Sequence, residues 1–152
     1  MGTRSRIAIQ NAGGTFTSIY CHWDGYPSGV GVTLAEHYKD EAKVRALMAL
    51  GNISSLGEEI GEKHGFDDRS HRNWTTAYGR DRDEVDQEAE VSPSLDALNE
   101  LTRESGGEYL YVFKDGAWMG AEGGGSMFGM LATHAPGALK PVERLIAEAE
   151  QE

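Results

Sequence analysis

Apolar and polar positions alternate with a period of two at the start of the chain. "RIAIQ" (6–10) and "TFTSIYCHW" (15–23) both alternate, and "NAGG" between them supplies residues that accept positive φ. The pattern predicts a β-hairpin, with Ile19 and Cys21 on one face of its second strand and Ser18, Tyr20 and His22 on the other. "DGYPSG" then ends the strand, because Asp-Gly forms turns and Pro27 keeps Tyr26 out of the helical region. A helical period follows twice. "GVTLAEHYKD" places Leu34, His37 and Tyr38 at i, i+3 and i+4. Asp40 then caps "EAKVRALMALG", whose Val44, Leu47 and Met48 form a stripe ending at Gly51.

From Asn52 to Arg72 the periodicity fades and a long irregular excursion is expected, with "WTTAYG" (74–79) as a short strand after it. Ser92-Pro93 reads as a cap and first-turn proline for a helix marked by Leu95, Leu98 and Leu101, stopping at Gly106-Gly107. "EYLYVFKDGAWMG" reads as a second hairpin turned by Asp115-Gly116. "EGGGSMFG" reads as a flexible loop, and Pro141 is expected to open a last helix through Val142, Leu145, Ile146 and Ala149. These elements predict a single α+β domain over 1–152: an antiparallel sheet built from the two hairpins, packed with three to four helices.

Composition narrows the classes. No run of about 18 apolar residues occurs, so no membrane span is expected, and nothing at the start resembles a signal peptide. The lone Cys21 excludes an internal disulfide and fits a reducing cytoplasm, so a cytoplasmic location is expected. The formal charge of −11 argues against duplex nucleic acid as a partner. An acidic block spans 81–90, and the one local reversal of sign is Arg69, Arg72, Arg80 and Arg82, with His64 and His71 nearby.

Candidate chemistry gathers at "YCHWDGYPSGVG" (20–31). Tyr20 and His22 share a strand face, and Trp23, Asp24 and Tyr26 follow where the strand runs into its turn. Aromatic rings stack on a base, and Asp24 can accept hydrogen bonds from a ribose or an exocyclic amine. The competing reading makes Trp23 and Tyr26 core plugs and Asp24 an Asx-turn residue. In "TTAYGRDRDE" (75–84), Thr76, Tyr78 and Arg80 on one strand face would offer a hydroxyl, a ring and a guanidinium, with Arg80 as the phosphate ligand. Ion pairing with Asp81 and Asp83 is the plainer reading of Arg82. No P-loop, nucleophile elbow or helical metal-ligand spacing is present, so no metal and no cofactor are expected. His22, Asp24 and His37, or His64, Asp67 and His71, are the sets set aside on that ground.

Together "IYCHWDGYPSGVG", "TAYGRDRDE" and "EYLYVFKDGAW" resemble a family of small proteins frequent in bacteriophage genomes, over nearly the whole chain and in this order. Its members usually resemble "RDRGE" where this chain has Asp83 in place of the glycine. The resemblance implies a phage setting and no particular chemistry; by analogy, small acidic phage proteins often counter host defence. The expected function is sequestration of a small anionic nucleotide-derived ligand, such as a cyclic nucleotide or an ADP-ribose derivative. The ligand residues are Tyr20, His22, Trp23, Asp24, Tyr26, Thr76, Tyr78 and Arg80, and no residue is assigned a catalytic role. Two alternatives stand beside it. One is a small hydrolase or phosphodiesterase using His22 and Asp24 as acid and base; the other is an acidic interaction inhibitor or DNA mimic built on the block at 81–90. A homo-oligomer is expected because "YLYVF" is apolar on both faces, with Tyr109, Tyr111 and Phe113 opposite Leu110 and Val112.

Overall fold

The computed structural model describes residues 2–68 and 70–122, together with 140, 141 and 146. The two hairpins form as their alternation predicts. Strands β1 (Ser5–Gln10) and β2 (Phe16–Cys21) are antiparallel neighbours in register Ile7 to Ile19. Strands β6 (Tyr109–Lys114) and β7 (Ala117–Glu122) pair across Asp115 and Gly116, both at positive φ (53° and 79°), as a type I′ turn requires. The hairpins join through β1 and β6, which run parallel.

Short strands complete the sheet: β3 (Ile53–Ser55), β4 (Thr76–Ala77), β5 (Glu90–Ser92) and β8 (Lys140–Pro141). Among the described residues the sheet has eight strands in the order β4-β3-β2-β1-β6-β7-β8, with β5 also on β2. The α+β class holds, but the sheet is mixed rather than antiparallel, since β1–β6 and β2–β3 are parallel. β5 falls where a helix start was expected. Ser92 pairs with Phe16, and the cap of the following helix is Ser94, whose hydroxyl accepts from the Ala97 N–H. The carboxylate of Glu90 anchors this strand by accepting from the buried Arg6 guanidinium at 3.0 Å, while Arg6 Nε donates to Ser18 Oγ. Pro141 lies in β8 opposite Met119 instead of opening a helix; proline is tolerated at such a sheet margin. Ile146 is helical, whereas Val142, Leu145, Ala149 and residues 123–129 of the glycine-rich loop lie outside the described residues.

Helices cover both faces. On one, Ile7, Ile9, Ile19, Cys21, Tyr111, Phe113 and Trp118 pack under Leu34 of α1 (Val32–His37) and Val44, Leu47 and Met48 of α2 (Glu41–Ala49). Asp40 caps α2 by accepting from the Lys43 N–H, as its position predicts. On the other face, Ala8, Phe16, Leu110 and Val112 pack under Leu98 of α4 (Leu95–Glu104). The reason for expecting a second subunit is therefore removed: α4 already covers the Leu110–Val112 side of the aromatic hairpin.

Buried aromatic side chains place their polar tips on loop carbonyls. Tyr111 Oη donates to Gly25 O at 2.6 Å, Trp118 Nε1 to Tyr38 O at 2.8 Å, and Tyr38 Oη to Gly57 O at 2.8 Å. The turn at 24–26 and the loop after β3 are thereby tied to the core.

Cys21 is fully buried, and burial pushes its thiol up to about 12 from an ordinary value of 9.0. The neutral thiol's contribution to stability is whole below pH 9.0 and falls as the pH rises towards 12, because the unfolded chain ionises first. Two results are expected: Ellman's reagent labels the native protein only as fast as the protein opens, and Cys21→Ala loses less stability than the parent between pH 9.0 and pH 11. Rapid stoichiometric labelling at neutral pH contradicts this burial.

Candidate functional site

A cleft opens at the end of β2, beside β3 and β4, with a volume of about 430 Å³, within the range of small-molecule sites. Trp23, Asp24, Ser54, Ser55, Phe66, Asp67 and Thr76 line it. A second hollow of about 390 Å³ shares Ser55 and Thr76 with it and adds Asp68, His71, Arg72 and Trp74. The two are lobes of one groove, with Thr76 on the floor between them.

Local structure explains the exposed motif. Past β2 the chain keeps pairing with β3: His22 N–H donates to Ile53 O and Trp23 N–H to Ser54 O. Asp24 then takes a left-handed conformation (φ 56°), its carbonyl accepting from the Val30 N–H, and Pro27 begins a single π-helical turn (Pro27–Gly31). The Trp23 indole is left 44% exposed and Tyr26 39% exposed, so neither is a core plug. Tyr26 Oη donates to Asp24 Oδ1 at 3.1 Å, a bond that also raises the tyrosine's pKa. Tyr20 and His22 share their predicted face and bond to each other, Oη to Nδ1 at 2.7 Å. Burial raises the Tyr20 pKa; burial, then the charges of Arg4 and the amino terminus, lower that of His22. The edge of His22 meets the Trp23 ring at 4.8 Å between centroids.

The second predicted group does not form a strand face. Only Thr76 and Ala77 are extended, and helix α3 (Tyr78–Arg82) begins at once. Tyr78 stacks on Phe66 at 5.7 Å, and the Arg82 guanidinium lies 4.2 Å from the Phe66 ring centre, forming a wall behind the cleft. Arg80 turns inward. It donates to Asp81, to the carbonyls of Ile60 and Gly61, and to Thr75 O at 2.6 Å. With its fork already engaged, Arg80 is a structural residue and not the phosphate ligand expected of it. Asp81 is equally committed: its carboxylate accepts from Arg80 and from the Ala77 and His64 N–H groups. Burial pushes the Asp81 pKa up, but these bonds and the Arg80 charge outweigh it and hold the group below the usual carboxylate value.

The acidic block at 81–90 is accordingly not one solvated helix face. Asp81 is buried, Asp83 pairs with Lys63, Glu84 with Arg82 and Glu90 with Arg6. Asp83 ends α3 in the left-handed region (φ 55°), a conformation suited to the glycine of the "RDRGE" pattern.

Thus Trp23, Asp24 and Thr76 meet in the cleft, Tyr26, His22 and Tyr20 support its rim, Tyr78 backs its wall, and Arg80 holds the loop from beneath. Sequence reasoning assigned neither Ser54, Ser55, Phe66 and Asp67 nor the Asp68, His71 and Arg72 of the second lobe to the site. Of these only the basic island around 64–72 had a signal. Gly61 (φ 72°) lies against the Trp74 ring, which stacks on His71 at 3.9 Å, so the loop returns to the groove through ring packing that no local pattern announces. Among the described residues no group of three His, Cys, Asp or Glu side chains is placed to hold a metal ion. No protein-family model matches the chain, and no curated protein or solved structure matches it either.

The contrast between the two arginines is measurable. Arg80→Ala leaves Asp81 buried without its counter-charge and is expected to cost about 3–5 kcal/mol. Arg82→Ala, at an exposed ion pair, costs about 1 kcal/mol or less. Urea unfolding of both variants checks this, and equal losses contradict the assignment of Arg80.

Proposed function

We propose that the chain is a binding protein that sequesters a nucleotide-derived ligand in the two-lobed groove. The observation that carries this reading is the exposed Trp23 indole, held beside the Asp24 carboxylate at one end of a groove whose other end carries Arg72 and His71. An aromatic face open to solvent is the surface on which a base stacks, a contact worth about 1–3 kcal/mol. Asp24 and Asp67 accept from the amino and hydroxyl groups of a nucleoside, and these carboxylates would repel phosphate. The Arg72 guanidinium suits phosphate at the opposite end. The groove therefore offers carboxylate acceptors at the Trp23 end and, at the other, one guanidinium beside Asp68, and Arg72 takes the place expected of Arg80.

The chain supplies both lobes itself, so the proposal needs no second copy. Among the described residues no helix is long and apolar enough to cross a membrane. A role in the host cytoplasm, against a defence signal, rests on the resemblance of the three motifs to phage proteins. The hydrolase alternative gains no support from the geometry: His22 and Asp24 form no ion pair, and each is held by a tyrosine instead.

Calorimetry with adenosine 5′-monophosphate, cyclic adenosine monophosphate and ADP-ribose is expected to give saturable binding of at least one, with the ligand recovered intact after denaturation. Trp23→Ala is expected to weaken that binding about ten-fold or more while lowering the unfolding midpoint only modestly, since nearly half of the residue is exposed. No heat and no stabilisation at millimolar concentrations contradicts the reading, and a converted ligand contradicts sequestration.

A further inference from the structure

His64 sits behind the groove floor with a nearly buried ring, and its two nitrogens have different partners. Nδ1 lies 2.8 Å from the Glu62 carbonyl oxygen. A carbonyl only accepts, so Nδ1 carries the proton, and the Asp81 carboxylate at 3.6 Å from the same nitrogen favours it there. Nε2 lies 3.3 Å from Thr76 Oγ1. In the neutral ring Nε2 has only a lone pair to offer, so the hydrogen of that bond comes from Thr76. The Thr76 hydroxyl has then spent its single donor on His64, and towards the groove it can only accept.

We infer that Thr76, set by His64, is a specificity-determining residue of the groove. It accepts from an amino-bearing base while His64 is neutral, and it turns donor when His64 gains a proton. The protonated ring donates from Nε2, the Thr76 hydrogen is released, and it points into the groove. Taken with Asp24 and Asp67, the neutral state adds an acceptor at Thr76 to a cleft whose Ser54 and Ser55 hydroxyls can turn either way, which favours the amino group of an aminopurine such as adenine over the oxo group of hypoxanthine. This ligand class rests on the nucleotide reading above; the Thr76–His64 polarity does not. Among the described residues the charged and titratable groups facing His64 are Asp81 and Arg80 of α3, which neutralise each other, and His71 and Asp68 of the loop. Lys63 and Glu62 flank it in the chain, and Lys63 is paired with Asp83.

Two measurements test the inference. Long-range proton–nitrogen NMR on the neutral His64 ring is expected to show the proton on Nδ1 in the parent and in Thr76→Ser; a neutral ring protonated on Nε2 overturns the assignment. Calorimetry with adenosine 5′-monophosphate and inosine 5′-monophosphate is expected to favour the amino form about five- to ten-fold at pH 8, the effect of roughly one hydrogen bond. That preference should shrink once His64 is protonated, persist in Thr76→Ser and vanish in Thr76→Val. The same preference in Thr76→Val as in the parent overturns the role of Thr76. If neither nucleotide binds, the nucleotide reading and the base selectivity fall together, and the tautomer alone decides the Thr76–His64 polarity.

Discussion

The buried pair of Arg80 and Asp81 is the constraint on which the groove depends. Among the described residues of 56–75 there is little regular structure, a few backbone bonds and one bridge between Glu59 and Trp74, so side chains fix much of their course. Arg80 does this from one end, reaching the carbonyls of Ile60, Gly61 and Thr75; Asp81 does it from the other, holding the His64 and Ala77 N–H groups. A buried carboxylate with several donors and a guanidinium partner offsets its desolvation, whereas either group alone would not. Because this knot holds His64 directly and Thr76 through its neighbours Thr75 and Ala77, the groove floor follows from it.

A second layer of support comes from the aromatic core. Tyr38 and Thr75 clamp the Gly57 backbone, the Thr75 hydroxyl accepting from the Gly57 N–H at 3.0 Å, and Tyr111 fixes Gly25 beside Asp24. The exposed Trp23 therefore sits on a rigid edge although it is itself in a turn. Stacking and hydrogen bonding of a ligand would then lose little to ordering of the site.

Both hairpins, the helices α2 and α4 and the turn at 24–27 were legible because each is governed by local rules: alternation, capping and the restriction before proline. Strands β3 and β5 were not, since three residues carry no alternation and their place is set by β2 and by the Arg6–Glu90 contact. The misreading of "TTAYGR" has the same origin. A period of two can be drawn through Thr76, Tyr78 and Arg80, but Asp81 accepts from the Ala77 N–H and Arg80 turns back to the loop, which bends the chain into α3. Of the site, Trp23 and Asp24 could be found from composition and Arg72 showed only as part of a basic island; Ser55 and Phe66 gave no signal, because long-range packing brings them there.

Mapping amide and indole NMR shifts during titration with ADP-ribose decides whether the groove between Trp23 and Arg72 is where a ligand is held. Saturating changes are expected at the Trp23 indole, Asp24, Ser55, Thr76 and Arg72, spanning both lobes. Changes confined to the separate hollow beneath α3, at Ala49, Leu50, Gly79 and Gln87, would contradict that placement.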